Sequence, residues 1–353
     1  MRKGLLFIGI LIACGASAQV SPYYQSALGL GDDSLKAELH NIIDGHTTYP
    51  YSSSSTDVWD MLKETDKDTN NADNVILLYS GRSVDGDQEY NNGAGWNREH
   101  VWAKSRGNFG NSQGPGTDAH HLRPCDISVN STRNNRNFDD CVSCVDVIDE
   151  GQNTGSRYDN GVWTFEPRDA VKGDVARMIF YMAVRYEGDG SEPDLELTDA
   201  LQAQGSQQPL HAVLSTLLEW HRSDTVDAFE ANRNEVIFGF QGNRNPFIDY
   251  PELAEHLWGL LQGTAWSGPS TIGLEDTKAV ELKVYPNPTS RQIQWDEKVE
   301  KAELFDLQGR LVASKRKAEG ISLESTSVGT CTYLLVLHRA AGAPSLHRIY
   351  FQP

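Results

Sequence analysis

Positive charge is in short supply in this chain: 31 Lys and Arg stand against 49 Asp and Glu, a formal charge of −18 over 353 residues. Such a surface repels polyanions as a whole. A nucleic-acid ligand would therefore need a local basic site, because the global field gives it no attraction. Long hydrophobic runs are also missing. Past the N-terminus no stretch approaches the roughly 20 apolar residues of a spanning helix, which argues against a membrane span. Internal repeats are not evident. Cysteine is scarce, at five. What remains, 39% hydrophobic and 23% charged residues, is the composition of an ordinary globular protein with a sizeable core.

The N-terminus reads as an export signal over residues 1–18. Met1-Arg2-Lys3 supply positive charge, Gly4 to Ala13 form a short apolar run, and Ala16-Ser17-Ala18 make an A-x-A cleavage site. Leu11-Ile12-Ala13-Cys14 also has the look of a lipoprotein box, but the complete A-x-A site favours simple cleavage. Four cysteines then remain: Cys125, Cys141, Cys144 and Cys331. Export makes a disulfide from Cys125 to Cys141 or Cys144 the preferred reading. The alternative is a structural zinc held by these three cysteines, with His120 or His121 as fourth ligand.

Periodicity divides the rest. Residues 19–262 read as one α+β domain, mostly helical around a small β element. Helical patterns run over 23–46, over 56–66 with Thr56 or Asp57 as N-cap, over 172–186, over 208–222 and from 224 onward, with a loop at Asn243 to Pro246. Asn74 to Arg82 is an apolar run ended by Gly81 and reads as a buried strand. Residues 263–279 are rich in Gly, Ser, Thr and Pro and read as a linker. Residues 280–353 alternate in short segments broken by turns, the pattern of a small all-β sandwich.

Chemistry concentrates between Trp96 and Arg136. Six Lys or Arg (98, 104, 106, 123, 133, 136) face three Asp or Glu (99, 118, 126) there, a local balance of +3 in an acidic chain. That is what a phosphate site inside an acidic protein would need. Cutting a phosphodiester calls for a base that deprotonates water, a hard cation that stabilises the charged transition state, and oxygen ligands for that cation. His100 can be the base. Glu99 and the Asn130 amide are oxygen donors suited to Mg²⁺, which keeps several waters and takes few protein ligands. Arginine offers a planar fork to phosphate oxygens. One puzzle is geometric: neighbours on a regular strand face opposite ways, so Glu99 and His100 should not share one partner.

Arg98-Glu99-His100-Val101 followed by Asp118-Ala119-His120-His121-Leu122-Arg123-Pro124 and Val129-Asn130-Ser131-Thr132-Arg133-Asn134-Asn135 resembles the bacterial endonuclease I family of secreted nucleases. The resemblance spans most of residues 27–259. It implies a ββα-metal (His-metal finger) core using a single divalent cation, Mg²⁺ with Mn²⁺ or Ca²⁺ as alternatives. It also implies His100 as general base, Glu99 and Asn130 as metal ligands, and Asp118, His120 and Asn135 as supporting groups. An arginine that steadies the leaving group in longer family members has no clear match, since only seventeen residues separate His100 from Asp118. Arg106 and Arg133 are the candidates. The C-terminal segment, from Tyr285-Pro286-Asn287-Pro288 onward, resembles a type IX secretion sorting domain, implying that secretion machinery as a partner and release or surface attachment as the outcome.

The expected activity is thus a secreted, Mg²⁺-dependent, largely sequence-nonspecific endonuclease acting on DNA, and on RNA as a further substrate, as a monomer with contacts to phosphate and sugar. Two alternatives stand beside it: an extracellular ribonuclease of the same family, and a non-catalytic surface binding protein that keeps the scaffold.

Overall fold

The structure is a computed structural model that describes residues 20–269, 284–287, 289–305, 311–322, 331–338 and 345–351. The export signal, Cys14, Pro288 of the sorting motif and most of the expected linker lie outside the described residues. The chain forms two units, one ending at Thr271 and one beginning at Ile272.

The first unit mixes eight helices with eleven short strands among its described residues: α1 (Asp32–Ile43), α2 (Val58–Thr65), α3 (Ile127–Arg133), α4 (Lys172–Arg185), α5 (Leu214–Ser223), α6 (Ala228–Gln241), α7 (Pro246–Asp249), α8 (Leu253–Trp258), and β1 (Lys67–Asp68), β2 (Asn71–Ile76), β3 (Ser83–Asp85), β4 (Trp96–His100), β5 (Leu122–Asp126), β6 (Asn137–Phe138), β7 (Val145–Asp149), β8 (Gln152–Asp159), β9 (Thr164–Glu166), β10 (Glu196–Thr198) and β11 (Leu210–Val213). The α+β character follows from this mixture. Helix α4 is its axis. Every residue from Gly173 to Arg185 is buried, so the helix has no wet face and is wrapped on all sides. Gly173 permits that wrapping, since a Cβ there would fall 2.0 Å from the Asp224 carbonyl oxygen. Leu35, Leu39 and Ile43 of α1 and Leu217, Leu218 and Trp220 of α5 pack into the same core. Helix α2 starts at Asp57, whose carboxylate accepts from the amides of Trp59 (2.8 Å) and Asp60 (3.4 Å) while Asp60 caps back, a full capping box.

Three local readings shift. The apolar run from Asn74 leaves the sheet at Ile76, and Leu77 to Tyr79 stay buried but enter a turn closed by the Gly81 amide on Leu77 O, with the Leu78 amide bonded to the Pro124 carbonyl. The expected helix over 208–222 begins only at Leu214. Leu210–Val213 instead pair in parallel with Glu196–Thr198, because Pro209 cannot sit inside a helix and Ala212 adopts φ 63°. Residues 263–269 do not behave as linker. Trp266 is fully buried, and its amide donates to Leu30 O at 2.7 Å, so one large aromatic ties this stretch to the first unit's core.

The second unit is all β among its described residues: β12 (Val284–Tyr285), β13 (Gln292–Phe305), β14 (Leu311–Ser322), β15 (Cys331–His338) and β16 (Ser345–Phe351). These strands form one five-stranded sheet, not the two sheets of the expected sandwich. The register of β13 against β14 breaks between Gln294 and Val299, which lets the long strand bend, and a bridge from Thr289 to Phe351 brings the last strand back toward the first. Ile293, Trp295, Leu304, Leu335, Leu337 and Ile349 fill its own core.

Beneath the strand pair β4–β5 sits a buried charge cluster. Asp66, fully buried, accepts from Arg123 Nε (2.5 Å), Arg233 Nε (3.2 Å) and Thr65 Oγ1 (2.7 Å). Arg123 also reaches Asp174, and Arg233 donates to the carbonyls of Ala119 and Leu122. Removing one partner of such a cluster leaves uncompensated buried charge, which costs about 3–5 kcal/mol. We expect Asp66→Ala to lower stability by about that amount in urea unfolding. A change below about 1 kcal/mol would mean that the two arginines find water instead.

Candidate active site

Three consecutive elements build the site. Strands β4 and β5 pair antiparallel, Trp96 opposite Asp126, Glu99 opposite Arg123 and His100 opposite Leu122. Asp126 ends β5 and caps α3, accepting from the amides of Ser128 (2.8 Å) and Val129 (3.1 Å). Asn130 and Arg133, three apart on α3, then share the helix face that meets β4. A cleft of about 350 Å³ opens here, and Glu99, His100, Lys104, Asn130 and Arg133 line it along with Tyr51 and Arg98.

Glu99 is 2% exposed, and its two oxygens differ. Oε1 accepts from the hydroxyl of Tyr79 at 2.8 Å and lies 3.2 Å from Arg133 Nε, an ion pair in which the N–H is not aimed at the oxygen. Oε2 makes no hydrogen bond and opens on the cleft. Burial raises the pKa of this carboxyl, against the opposing pull of Arg133 and the Tyr79 hydrogen bond.

His100 faces the other way. Its Nε2 lies 3.0 Å from the carbonyl oxygen of Gly116, and its ring stacks on Tyr51 at 5.8 Å and 19°. A carbonyl can only accept, so Nε2 carries the proton and Nδ1 keeps its lone pair. Nδ1 has no partner and is not sealed from the cleft. Burial pushes the imidazole well below its ordinary pKa, with His121, Lys104 and Arg98 pushing the same way and the Gly116 bond opposing, a balance that favours the neutral ring. The strand puzzle has a simple answer: Glu99 points toward Tyr79 and α3, His100 toward Tyr51 and the Gly116 loop, and the cleft spans the strand end and touches both. The half-buried Asn130 side chain makes no hydrogen bond. An oxygen of Glu99 and the amide oxygen of Asn130 are therefore available to a hard cation, and a cation there would offset the burial cost of the carboxylate.

The remaining expected residues are placed differently from one another. Arg133 lines the cleft but is 1% exposed, with its guanidinium on the carbonyls of His100, Val101 and Asn134 and on His211 Nε2. Arg106 does not line the cleft at all. It is fully buried and donates to the carbonyls of Asn135, Ala203 and Gln202, which removes it from any contact with a leaving group. Asn135 braces the chain, donating to Ser105 Oγ and Gln204 O and accepting from Trp163 Nε1. Asp118 is fully buried and accepts four bonds, from the His120 amide, Gln241 Nε2 and the hydroxyls of Tyr181 and Tyr186. Burial alone would raise its pKa, yet His46, His120 and the Gln241 bond hold it well below the carboxylate range. His120 and His121 bond the carbonyls of Asn243 and Pro115.

The cysteine reading is corrected. Cys141 and Cys144 are joined to each other, and Cys125 is a free, buried thiol. Cys125 lies on β5 with its side chain in the core, out of reach of the exposed turn that carries the pair, so neither the Cys125 disulfide nor a three-cysteine zinc site forms. Tyr79, Tyr51 and the Gly116 carbonyl were missed. A tyrosine inside an apolar run is the only local signal Tyr79 offers, and a carbonyl offers none.

A family model described as Endonuclease I matches residues 32–252. The extracellular ribonuclease of Bacillus subtilis (strain 168) is 52% identical over 242 residues, covering 68% of this chain and 80% of that protein. The extracellular ribonuclease of Bacillus amyloliquefaciens is 51% identical over 243 residues, covering 69% and 80%.

Burial lowers His120 and His121 to about 4 each. Unfolded histidine titrates near 6.5, so on acidification the unfolded chain binds protons that the folded one refuses until about pH 4. Their contribution to stability is complete above pH 6.5 and declines from there toward pH 4. Urea midpoints should therefore fall between pH 7 and pH 5; equal midpoints would mean that these rings are not held neutral.

Proposed function

The chain belongs to the endonuclease I family and is a nuclease, and from that premise we propose that it is a secreted, Mg²⁺-dependent, largely sequence-nonspecific phosphodiesterase whose active site is Glu99, His100 and Asn130 on the β4–β5–α3 unit, read as a ββα-metal finger. The observation that carries this is the set of unpartnered acceptors on one cleft: Glu99 Oε2, the Asn130 amide and His100 Nδ1. Glu99 and Asn130 would hold the cation, which when bound supplies charge stabilisation to the pentacovalent transition state. His100 Nδ1 takes a proton from the attacking water while Nε2 stays fixed on Gly116 O. Tyr79 and Arg133 hold Glu99 Oε1 so that Oε2 stays turned to the cleft. Cleavage of the P–O3′ bond then leaves a 5′-phosphate and a 3′-hydroxyl.

Water, not a ribose hydroxyl, is the nucleophile in this scheme, so both DNA and RNA are substrates. A ribonuclease reading is favoured by the names of the two relatives. Secretion is supported by the same names and by the signal-like N-terminus. The C-terminal unit is read as a type IX sorting module that delivers the nuclease without entering its chemistry.

The test is cleavage of RNA and of double-stranded DNA with Mg²⁺, Mn²⁺ or Ca²⁺ and with EDTA. We expect loss of activity in EDTA and a fall of about 10²–10⁴-fold in kcat for His100→Ala. Full activity of His100→Ala would remove the base from His100. Loss of DNA cleavage with RNA cleavage intact would select the ribonuclease. Tyr79→Phe should raise the Mg²⁺ concentration for half-maximal activity by about tenfold. An unchanged metal requirement would show that Tyr79 does not set the Glu99 geometry.

A further inference from the structure

Hydrolysis needs a positive charge for the departing 3′ oxygen, and the two arginines that sequence singles out for it are spent elsewhere. Arg106 is outside the cleft, and each terminal nitrogen of Arg133 donates within the protein. Arg98 lies flat between Tyr51 (3.4 Å) and Trp59 (3.9 Å), and both its hydrogen bonds, to Tyr51 O and Ser52 Oγ, run through Nη1, so its plane is held by stacking while Nη2 has no partner. Among the described residues lining the cleft, two cations keep an unpartnered nitrogen or free protons, Arg98 at Nη2 and Lys104 at Nζ, and of the two only the lysine can release a proton. Lys104 is exposed, stands four positions after His100, and its Nζ makes a single hydrogen bond, to Asn111 Oδ1 at 2.9 Å. Two of its three protons are free, and Asn111 restrains the long side chain without neutralising it. A lysine ammonium also has something a fixed guanidinium lacks: it can give up a proton and regain it from solvent.

We infer that Lys104 is the catalytic acid at the leaving group. The inference rests on the hydrolytic reading above. As the water oxygen bonds to phosphorus, His100 Nδ1 takes the water proton, the P–O3′ bond breaks with its electron pair on O3′, and Lys104 Nζ donates a proton to that oxygen and is reprotonated from solvent. Charge developing on O3′ is what Lys104 serves, so its contribution depends on how poor the leaving group is.

The experiment compares wild type, Lys104→Ala and Lys104→Arg with Mg²⁺ on an oligonucleotide of natural linkages and on one carrying a bridging 3′-sulfur at a single position, where the leaving thiolate needs little help. We expect Lys104→Ala to lose about 10²-fold in kcat at the oxygen linkage and less than about threefold at the sulfur linkage, and Lys104→Arg to recover little of the loss, because a guanidinium supplies charge but no proton. Equal losses at both linkages, no loss at either, or a rise in KM with kcat unchanged would overturn the assignment. Lys104 is exposed, so an unchanged unfolding midpoint should accompany the kinetic change; a lowered midpoint with parallel losses at both linkages counts as a structural role and against the proposal. If the wild type itself shows no metal-dependent cleavage, the hydrolytic reading has failed, an outcome separate from any behaviour of Lys104.

Discussion

The fixed point of the first unit is the carboxylate of Asp118. An ionised carboxylate taken out of water is among the most costly groups to bury, and it is tolerated only when its lone pairs are filled. Here they are filled by donors from far along the chain, Tyr181 of α4, Tyr186 just after it and Gln241 at the end of α6, with one from the local His120 amide. The loop around Asp118 can thus take its shape only once α4 and α6 have docked. That loop carries the two carbonyls that govern histidine chemistry nearby, Pro115 O for His121 and Gly116 O for His100. Gly116 is itself confined, since a Cβ there would meet backbone atoms of Ser112 and Gly110 at 2.6 to 2.8 Å. The tautomer of His100 is therefore set by packing more than sixty residues away in sequence.

Local charge balance turned out to have a different meaning from the one sequence suggests. The +3 between Trp96 and Arg136 suggests a basic face for phosphate. Arg106, Arg123, Arg133 and Arg136 are instead buried and bonded to carbonyls, carboxylates or Asn160, and Arg98 is clamped between aromatic rings. Arginine suits this work because five donors on a rigid plane can satisfy several carbonyls in an irregular, loop-rich interior that has few ladders of its own. The excess cations stabilise the scaffold, and only Lys104 of the six is exposed.

What could be read from sequence was whatever short spacing determines. Glu99, His100 and Asn130 share one cleft because β4, β5 and α3 follow each other closely, and Asp126 signals the helix start before Ile127. Helices with one apolar face were legible; α4, buried all round with Asp174, Arg177 and Arg185 ion-paired inside, was legible as a helix but not as the axis. Contacts between distant segments were not. Nothing near Tyr79 shows that its hydroxyl ends on Glu99 twenty residues later, and nothing near Asp140 shows that the cysteines on either side of Val142 and Ser143 close on each other. Leu210–Val213 looks helical because its apolar spacing continues into α5, and only pairing with Glu196–Thr198 makes it a strand.

An unbonded carboxylate oxygen on a buried side chain is informative about what that side chain does. Glu99 shows this within one side chain: Oε1 has two partners and Oε2 none. Were both oxygens bonded, the carboxylate would be a structural anchor like Asp118, held below the carboxylate range by its surroundings. Instead burial dominates and pushes Glu99 upward. Two buried carboxylates nineteen residues apart thus take opposite electrostatic positions, one complete within the protein and one short of positive charge. The incomplete one faces the cleft beside an unpartnered amide and a neutral imidazole with its lone pair outward. A second partner for Glu99 would come from outside the chain, and that open acceptor, more than the Glu-His dipeptide itself, marks this strand end as a candidate site and not a plain sheet edge.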